Sequence, residues 1–149
     1  MIDNWKDTSP EVASLVKDWK KIEWIRASEI ASLNDSDGKL SVFAGAIEPA
    51  DIKQGALGDC YFLSVLSVLT EKPERVRRLF ETDQVNPEGI FGLNVTKNGV
   101  KSMVVIDDFI PCKNGEPIFS KANGNELWVI LLEKAWAKLH GSYERIIGG

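Results

Sequence analysis

Two segments of this chain, Cys60–Leu69 and Leu127–Leu132, are apolar on nearly every face of a helix. A helix without a polar side has no face to give to water and belongs in the interior. In Cys60–Leu69 only Ser64 and Ser67 are polar. The second segment extends to a helix from Glu126 to about His140, with Asn123 or Asn125 as N-cap and Gly141 as the residue that ends it. Between the two the periodicity changes to two: Phe91, Leu93 and Val95 alternate with Gly92, Asn94 and Thr96. Asn98-Gly99 is a hairpin turn signal, Met103–Ile106 supplies the returning strand, Asn114-Gly115 marks another turn, and Pro117–Phe119 reads as a short third strand. The pattern predicts a mostly helical α+β unit whose central buried helix begins at Cys60, packs on the later helix, and is flanked by a small antiparallel sheet.

The flanks are consistent with this. Thr8-Ser9-Pro10-Glu11 has the form of a capping box, and Val12, Leu15, Val16 and Trp19 follow at helical spacing, so residues 1–20 read as a helical extension. Pro73 opens a short amphipathic helix through Phe80, and residues 34–38 form a loop. A chain of 149 residues with 44% hydrophobic and 27% charged residues fits one globular domain. The formal charge of −4 argues against a general nucleic-acid surface. No apolar run has membrane-spanning length, and two cysteines make no disulfide framework; the expected setting is a reducing, cytoplasmic one.

Chemistry concentrates at Gln54-Gly55-Ala56-Leu57-Gly58-Asp59-Cys60. A thiol at the first turn of a helix meets the positive end of the helix dipole, which favours the nucleophilic thiolate. Gln54 can offer an amide N–H to a developing oxyanion, and the glycines let backbone approach a substrate. The alternative is an inert buried cysteine, the commoner fate of a lone thiol. Cys112, after Ile110-Pro111, reads as structural or incidental. A cysteine nucleophile also needs a histidine base and a group that orients it. The sequence has one histidine, His140, which at a helix end is better placed to hydrogen-bond carbonyls than to act as that base.

The stretch Gln54–Leu63 resembles the active-site motif of calpain family cysteine proteases. Further matches follow in order: Gly124-Asn125-Glu126-Leu127-Trp128 continuing through Leu131–Leu139, Gly141-Ser142-Tyr143-Glu144, and Val105-Ile106-Asp107-Asp108 with Ile110-Pro111. Ile22–Arg26 with Ser28-Glu29-Ile30 adds to the resemblance, which covers roughly residues 20–149. One departure is Tyr61, where calpains commonly carry Trp after the cysteine. The resemblance implies a papain-like half-domain over residues 21–149, the Cys-bearing first subdomain of a protease core. Cys60 would be the nucleophile, with Gln54 and the Cys60 backbone N–H as oxyanion donors. The catalytic His and Asn would come from a second subdomain, so that this half alone would cleave protein or peptide substrates poorly or not at all.

Glu133 stands out on the late helix, because its i±3 and i±4 neighbours Val129, Ile130, Trp136 and Ala137 offer no ion pair. A buried carboxylate requires a cation or several donors; a tertiary Lys or Arg, or partial exposure, would also serve. The family resemblance implies calcium in this half, held by Asp51, Glu133 and the carbonyls near Phe43 and Gly45. Carboxylate and carbonyl oxygens suit Ca2+. The expected function is therefore a calcium-dependent cysteine endopeptidase. The alternatives are a non-catalytic module of this type that binds calcium or a partner, and, more distantly, a thiol acyl-transfer enzyme of transglutaminase type. A Gly-His and an Asn-Pro-Trp-like motif beyond Gly149 would favour the protease over the binding module.

Overall fold

The computed structural model describes Trp19 and residues 21–34, 39–121 and 123–148. The expected N-terminal helix, apart from Trp19, and the tip of the 34–38 loop lie outside these residues. Strand β1 (Glu23–Arg26) leads through a 3-10 turn into the short helix α1 (Ala31–Asn34). Irregular backbone then runs to a second 3-10 turn, Pro49–Asp51, and on to α2 (Cys60–Leu69) and α3 (Pro73–Arg77). Strands β2 (Ile90–Lys97) and β3 (Val100–Asp107) form an antiparallel hairpin, with Lys97 opposite Val100. Strands β4 (Phe109–Lys113) and β5 (Glu116–Pro117) precede α4 (Trp128–His140).

Both predicted turns are present. Asn98 and Gly99 have φ of 54° and 77°, and Asn114 and Gly115 have 55° and 80°. Consecutive left-handed residues make the tight turn whose twist matches flanking strands, and Asn and Gly tolerate that conformation best. The described strands form two sheets rather than one, β1-β4-β5 and β2-β3. Sequence reading missed β1 and β4 and placed the third strand at Pro117–Phe119 instead of Glu116–Pro117. The reason is distance along the chain. Neither segment alternates clearly, and β1 meets β4 only through folding, with Arg26 opposite Phe109 and its guanidinium 3.0 Å from the Asp108 carboxylate.

Helix α4 starts at Trp128, and neither asparagine caps it. Asn125 donates to the Lys39 carbonyl at 2.6 Å and Asn123 to Asp51 at 3.3 Å. The helix start is met by neighbouring backbone instead: Leu127 N–H donates to Ser41 O and Trp128 N–H to Val42 O. Orphan donors at a helix start need acceptors, and a passing chain supplies them as well as a side chain does. Gly141, at φ 105°, ends the helix as expected.

Helix α4 is buried from Trp128 through Glu133. Lys134 ties it to the sheets by donating to the Asp107 side chain and the Phe109 carbonyl, and Lys138 donates to Val105 O. Helix α2 departs from the expectation. Phe62, Leu63 and Leu66 are buried, but Cys60, Ser64, Val65 and Val68 are exposed. It is a two-sided helix whose outer side is partly apolar.

Candidate active site

The loop before α2 is fixed by its neighbours. Ala56 N–H donates to Ile118 O at 2.8 Å, and Lys121 N–H donates to Lys53 O at 2.9 Å. Gly55 passes so close that a methyl group there would overlap the Phe119 carbonyl. Leu57 is buried with Phe119, Ala137, Tyr143 and Ile146, which anchors the loop from beneath. Gly58 turns the chain at φ 73°, and its carbonyl accepts from Gly148 N–H. The Asp59 carbonyl then accepts the first helical bonds, from Phe62 N–H at 2.9 Å and Leu63 N–H at 3.3 Å.

This places Cys60 at the first helical position, exposed, where its own N–H has no intrahelical acceptor. Gln54 and Cys60 share a cleft of about 220 Å3 with Pro49, Ile52, Leu63, Ser64 and Ser67. The structure thus brings together the two residues that the sequence singled out. Cys112 differs in every respect: it is buried, and burial pushes its thiol up to about 11, so it stays protonated and inert. Tyr61 keeps its hydroxyl satisfied by accepting from Trp136 Nε1 at 3.1 Å. His140 does not line the cleft. Its Nδ1 lies 2.9 Å from the Trp136 carbonyl and its ring packs on the Trp136 indole.

The acidic residues are paired differently from the expected set. Glu133 does not stand with Asp51. Its carboxylate accepts from Ser120 N–H at 3.0 and 3.1 Å and from Ser120 Oγ at 2.9 Å, and it interacts with Asp59. Donors that a buried carboxylate requires are supplied here by Ser120, so its hydrogen bonding alone calls for no cation. Asp51 stands beside Glu126 instead. Asp51 accepts from Glu48 N–H and Asn123, while Glu126 accepts from Ala44 N–H at 2.9 Å. Burial first, and then proximity to Asp51, raise the Glu126 carboxyl to about 7. Among the described residues neither carboxylate has an ion-pair partner. Phe43 and Gly45 flank Ala44, whose N–H contacts Glu126, so the backbone around Asp51 and Glu126 is the stretch expected to offer carbonyls. One of these, Gly45 O, accepts from Arg77 at 3.4 Å. Two adjacent carboxylates with no ion-pair partner among the described residues, beside backbone carbonyls, fit a hard divalent ion by the chemistry of their oxygens. Sequence reading missed Glu126, and the one available signal was its place at the junction of a Gly-Asn turn and an apolar helix. It also missed Asp59, which is buried between Gly58 and Cys60.

A helix-start thiol facing a cleft beside an amide side chain is an arrangement compatible with cysteine-nucleophile chemistry. The profile of the Calpain family cysteine protease domain matches residues 6–149. The chain is 46% identical over 129 residues to the calpain-type cysteine protease DEK1 of Arabidopsis thaliana, and 45% identical over 129 residues to the calpain-type cysteine protease ADL1 of Oryza sativa. Each match covers 85% of this chain and 6% of the relative. It is 41% identical over 134 residues to the calpain-2 catalytic subunit of Gallus gallus, covering 87% of this chain and 18% of that protein. The chain belongs to the calpain family of cysteine proteases. It spans only a small part of the length of these relatives. No helix among the described residues is long and apolar enough to cross a membrane.

Proposed function

We propose that this chain is the nucleophile-bearing half of a calcium-dependent, cytoplasmic cysteine endopeptidase with a papain-like core. The observation that carries this reading is the exposed Cys60 at the start of α2, in one cleft with Gln54. The Cys60 thiolate attacks the carbonyl carbon of a peptide bond, and the charge that develops on oxygen is met by the Gln54 amide and the Cys60 N–H. The C–N bond then breaks and the amine leaves with a proton, giving a thioester. Water attacks the thioester, releasing the acid and restoring the thiol. The base that takes and returns these protons comes from a second subdomain carrying His and Asn, since His140 is engaged with Trp136 away from the cleft. That subdomain has a surface to meet in the exposed side of α2, where Val65 and Val68 stand beside Cys60 and Ser64.

Asp51 and Glu126, with the carbonyls around Phe43 and Gly45, would hold Ca2+, which supplies charge neutralisation for the two carboxylates. Asp51 ends the 3-10 turn that leads into Gln54, so setting this turn sets the position of the oxyanion donor.

The test is proteolysis of an unfolded protein substrate by the full-length protein, with and without calcium. Calcium-stimulated cleavage that disappears in Cys60→Ala and weakens in Gln54→Ala is expected. Cleavage retained by Cys60→Ala would refute the nucleophile assignment, and cleavage indifferent to a chelator would refute the calcium assignment. The 149-residue chain alone is expected to show no calcium-stimulated turnover.

A further inference from the structure

The backbone around Phe43 and Gly45 is in contact with a helix that the mechanism above does not use. Residues 43–48 run past two carboxylates: Ala44 N–H donates to Glu126 at 2.9 Å and Glu48 N–H to Asp51 at 2.8 Å. Asp51 and Glu126 are each 5% exposed. Between these two contacts the chain turns at Gly45, with φ of 88°, and a Cβ there would meet nothing within 4 Å. The backbone of this turn therefore faces open space.

The segment that begins with α3 reaches the turn with two side chains. Phe80 meets the Phe43 ring edge-on at 5.0 Å, and the Arg77 guanidinium lies 4.7 Å from the centre of the same ring. From there Arg77 Nη2 donates to the Gly45 carbonyl at 3.4 Å. Val76 and Phe80 on either side are buried in the core, so the backbone that carries Arg77 is fixed. A planar guanidinium seated on an aromatic face gives up less freedom than a lysine in holding such a position. The bond itself is long and exposed, hence weak. What counts is a permanent positive charge at that oxygen. Calcium affinity follows the charge of the ligand set. Asp51 and Glu126 supply two negative charges, and Arg77 returns one positive charge. A divalent ion drawn to the Gly45 carbonyl would stand beside the guanidinium. Like charges a few ångströms apart repel more strongly next to nearly buried groups than in bulk water.

We propose that Arg77 is a built-in rival for calcium: its guanidinium competes with the ion for the Gly45 carbonyl and lowers the affinity of the site. The inference rests on the reading of Asp51, Glu126 and the neighbouring carbonyls as a calcium site, but its test does not depend on proteolysis. Calcium chloride is titrated into the chain by calorimetry, in the wild type and in Arg77→Met, Arg77→Lys and Glu126→Gln. Arg77→Met keeps an apolar stem against Phe43 and removes the charge; it is expected to bind calcium about two- to tenfold more tightly, the effect of one partly screened charge. The rise in melting temperature given by calcium should increase in the same variant. Arg77→Lys keeps the charge and should stay nearer the wild type than Arg77→Met does. Glu126→Gln should weaken binding. Calcium binding in Arg77→Met equal to or weaker than that of the wild type would overturn the rivalry, and weaker binding would make Arg77 a support of the loop instead. An Arg77→Lys affinity as tight as that of Arg77→Met would overturn the role of the charge. Arg77 is exposed, so these variants are expected to fold; if Arg77→Met aggregates, Arg77→Gln takes its place with the same expectation. No calcium binding by the wild type or by any Arg77 variant would refute the calcium site itself and the inference with it. Binding by the wild type that Glu126→Gln weakens and Arg77→Met leaves unchanged would refute only the part given to Arg77.

Discussion

Helices α2 and α4 look alike as sequence and differ as structure. Both are apolar around most of their circumference, yet Trp128 at the start of α4 is fully buried while Val65 and Val68 of α2 are 57% and 66% exposed. Helix α4 is enclosed by the hairpin, the 39–51 chain and the Tyr143–Ile146 turn. Helix α2 is covered on one side only, and its open side carries the thiol. A hydrophobic sequence states that a surface is better removed from water; it does not state against what. The difference separates a helix enclosed by the fold from one that leaves part of its apolar surface in solvent.

This contrast can be broken at several points. The largest expected effect is functional. Cys60→Ala should abolish cleavage by the full-length protein while leaving the melting temperature of the chain nearly unchanged, because the side chain is exposed; calorimetry and a peptide assay together check this. On the other helix, Trp128→Ala should cost about 3–5 kcal/mol in urea unfolding, the range for truncating a large buried aromatic. Gly55→Ala should cost about 1–3 kcal/mol, since the added methyl forces apart the Gln54 loop and the 118–121 chain, and it should lower cleavage further by displacing Gln54.

The acidic site gives a pH test. Burial and Asp51 raise Glu126 from 4.5 to about 7, so the folded state favours its protonated form. Its contribution to stability is complete below pH 4.5 and is lost as the pH rises through about 7. Glu126→Gln should flatten this part of the curve of melting temperature against pH, and should reduce the stabilisation given by added calcium near pH 8. The smallest effect is expected on the open side of α2. Val65→Ser or Val68→Ser should move the stability of the chain alone by no more than about 0.5 kcal/mol, as for other exposed positions. A cost comparable to that of Trp128→Ala would mean that the open side is covered already.

Several features were legible in the sequence because they are local. Asn98-Gly99 and Asn114-Gly115 set their turns within two residues, Gly141 ended α4, and the alternation of residues 91–95 marked a strand. Cys60 could be placed at a helix start from the glycines before it and the apolar run after it. Only the tertiary structure decided which acidic residues meet. Asp51 lies beside Glu126, and Asp59 beside Glu133, whereas the family resemblance implied Asp51 with Glu133. It alone also paired β1 with β4 and left one side of α2 open. These outcomes join residues that are far apart in the chain, and they depend on which surfaces pack together and what volume remains between them. A carboxylate or an apolar face announces a need for a partner through its own chemistry, but folding in three dimensions chooses the partner.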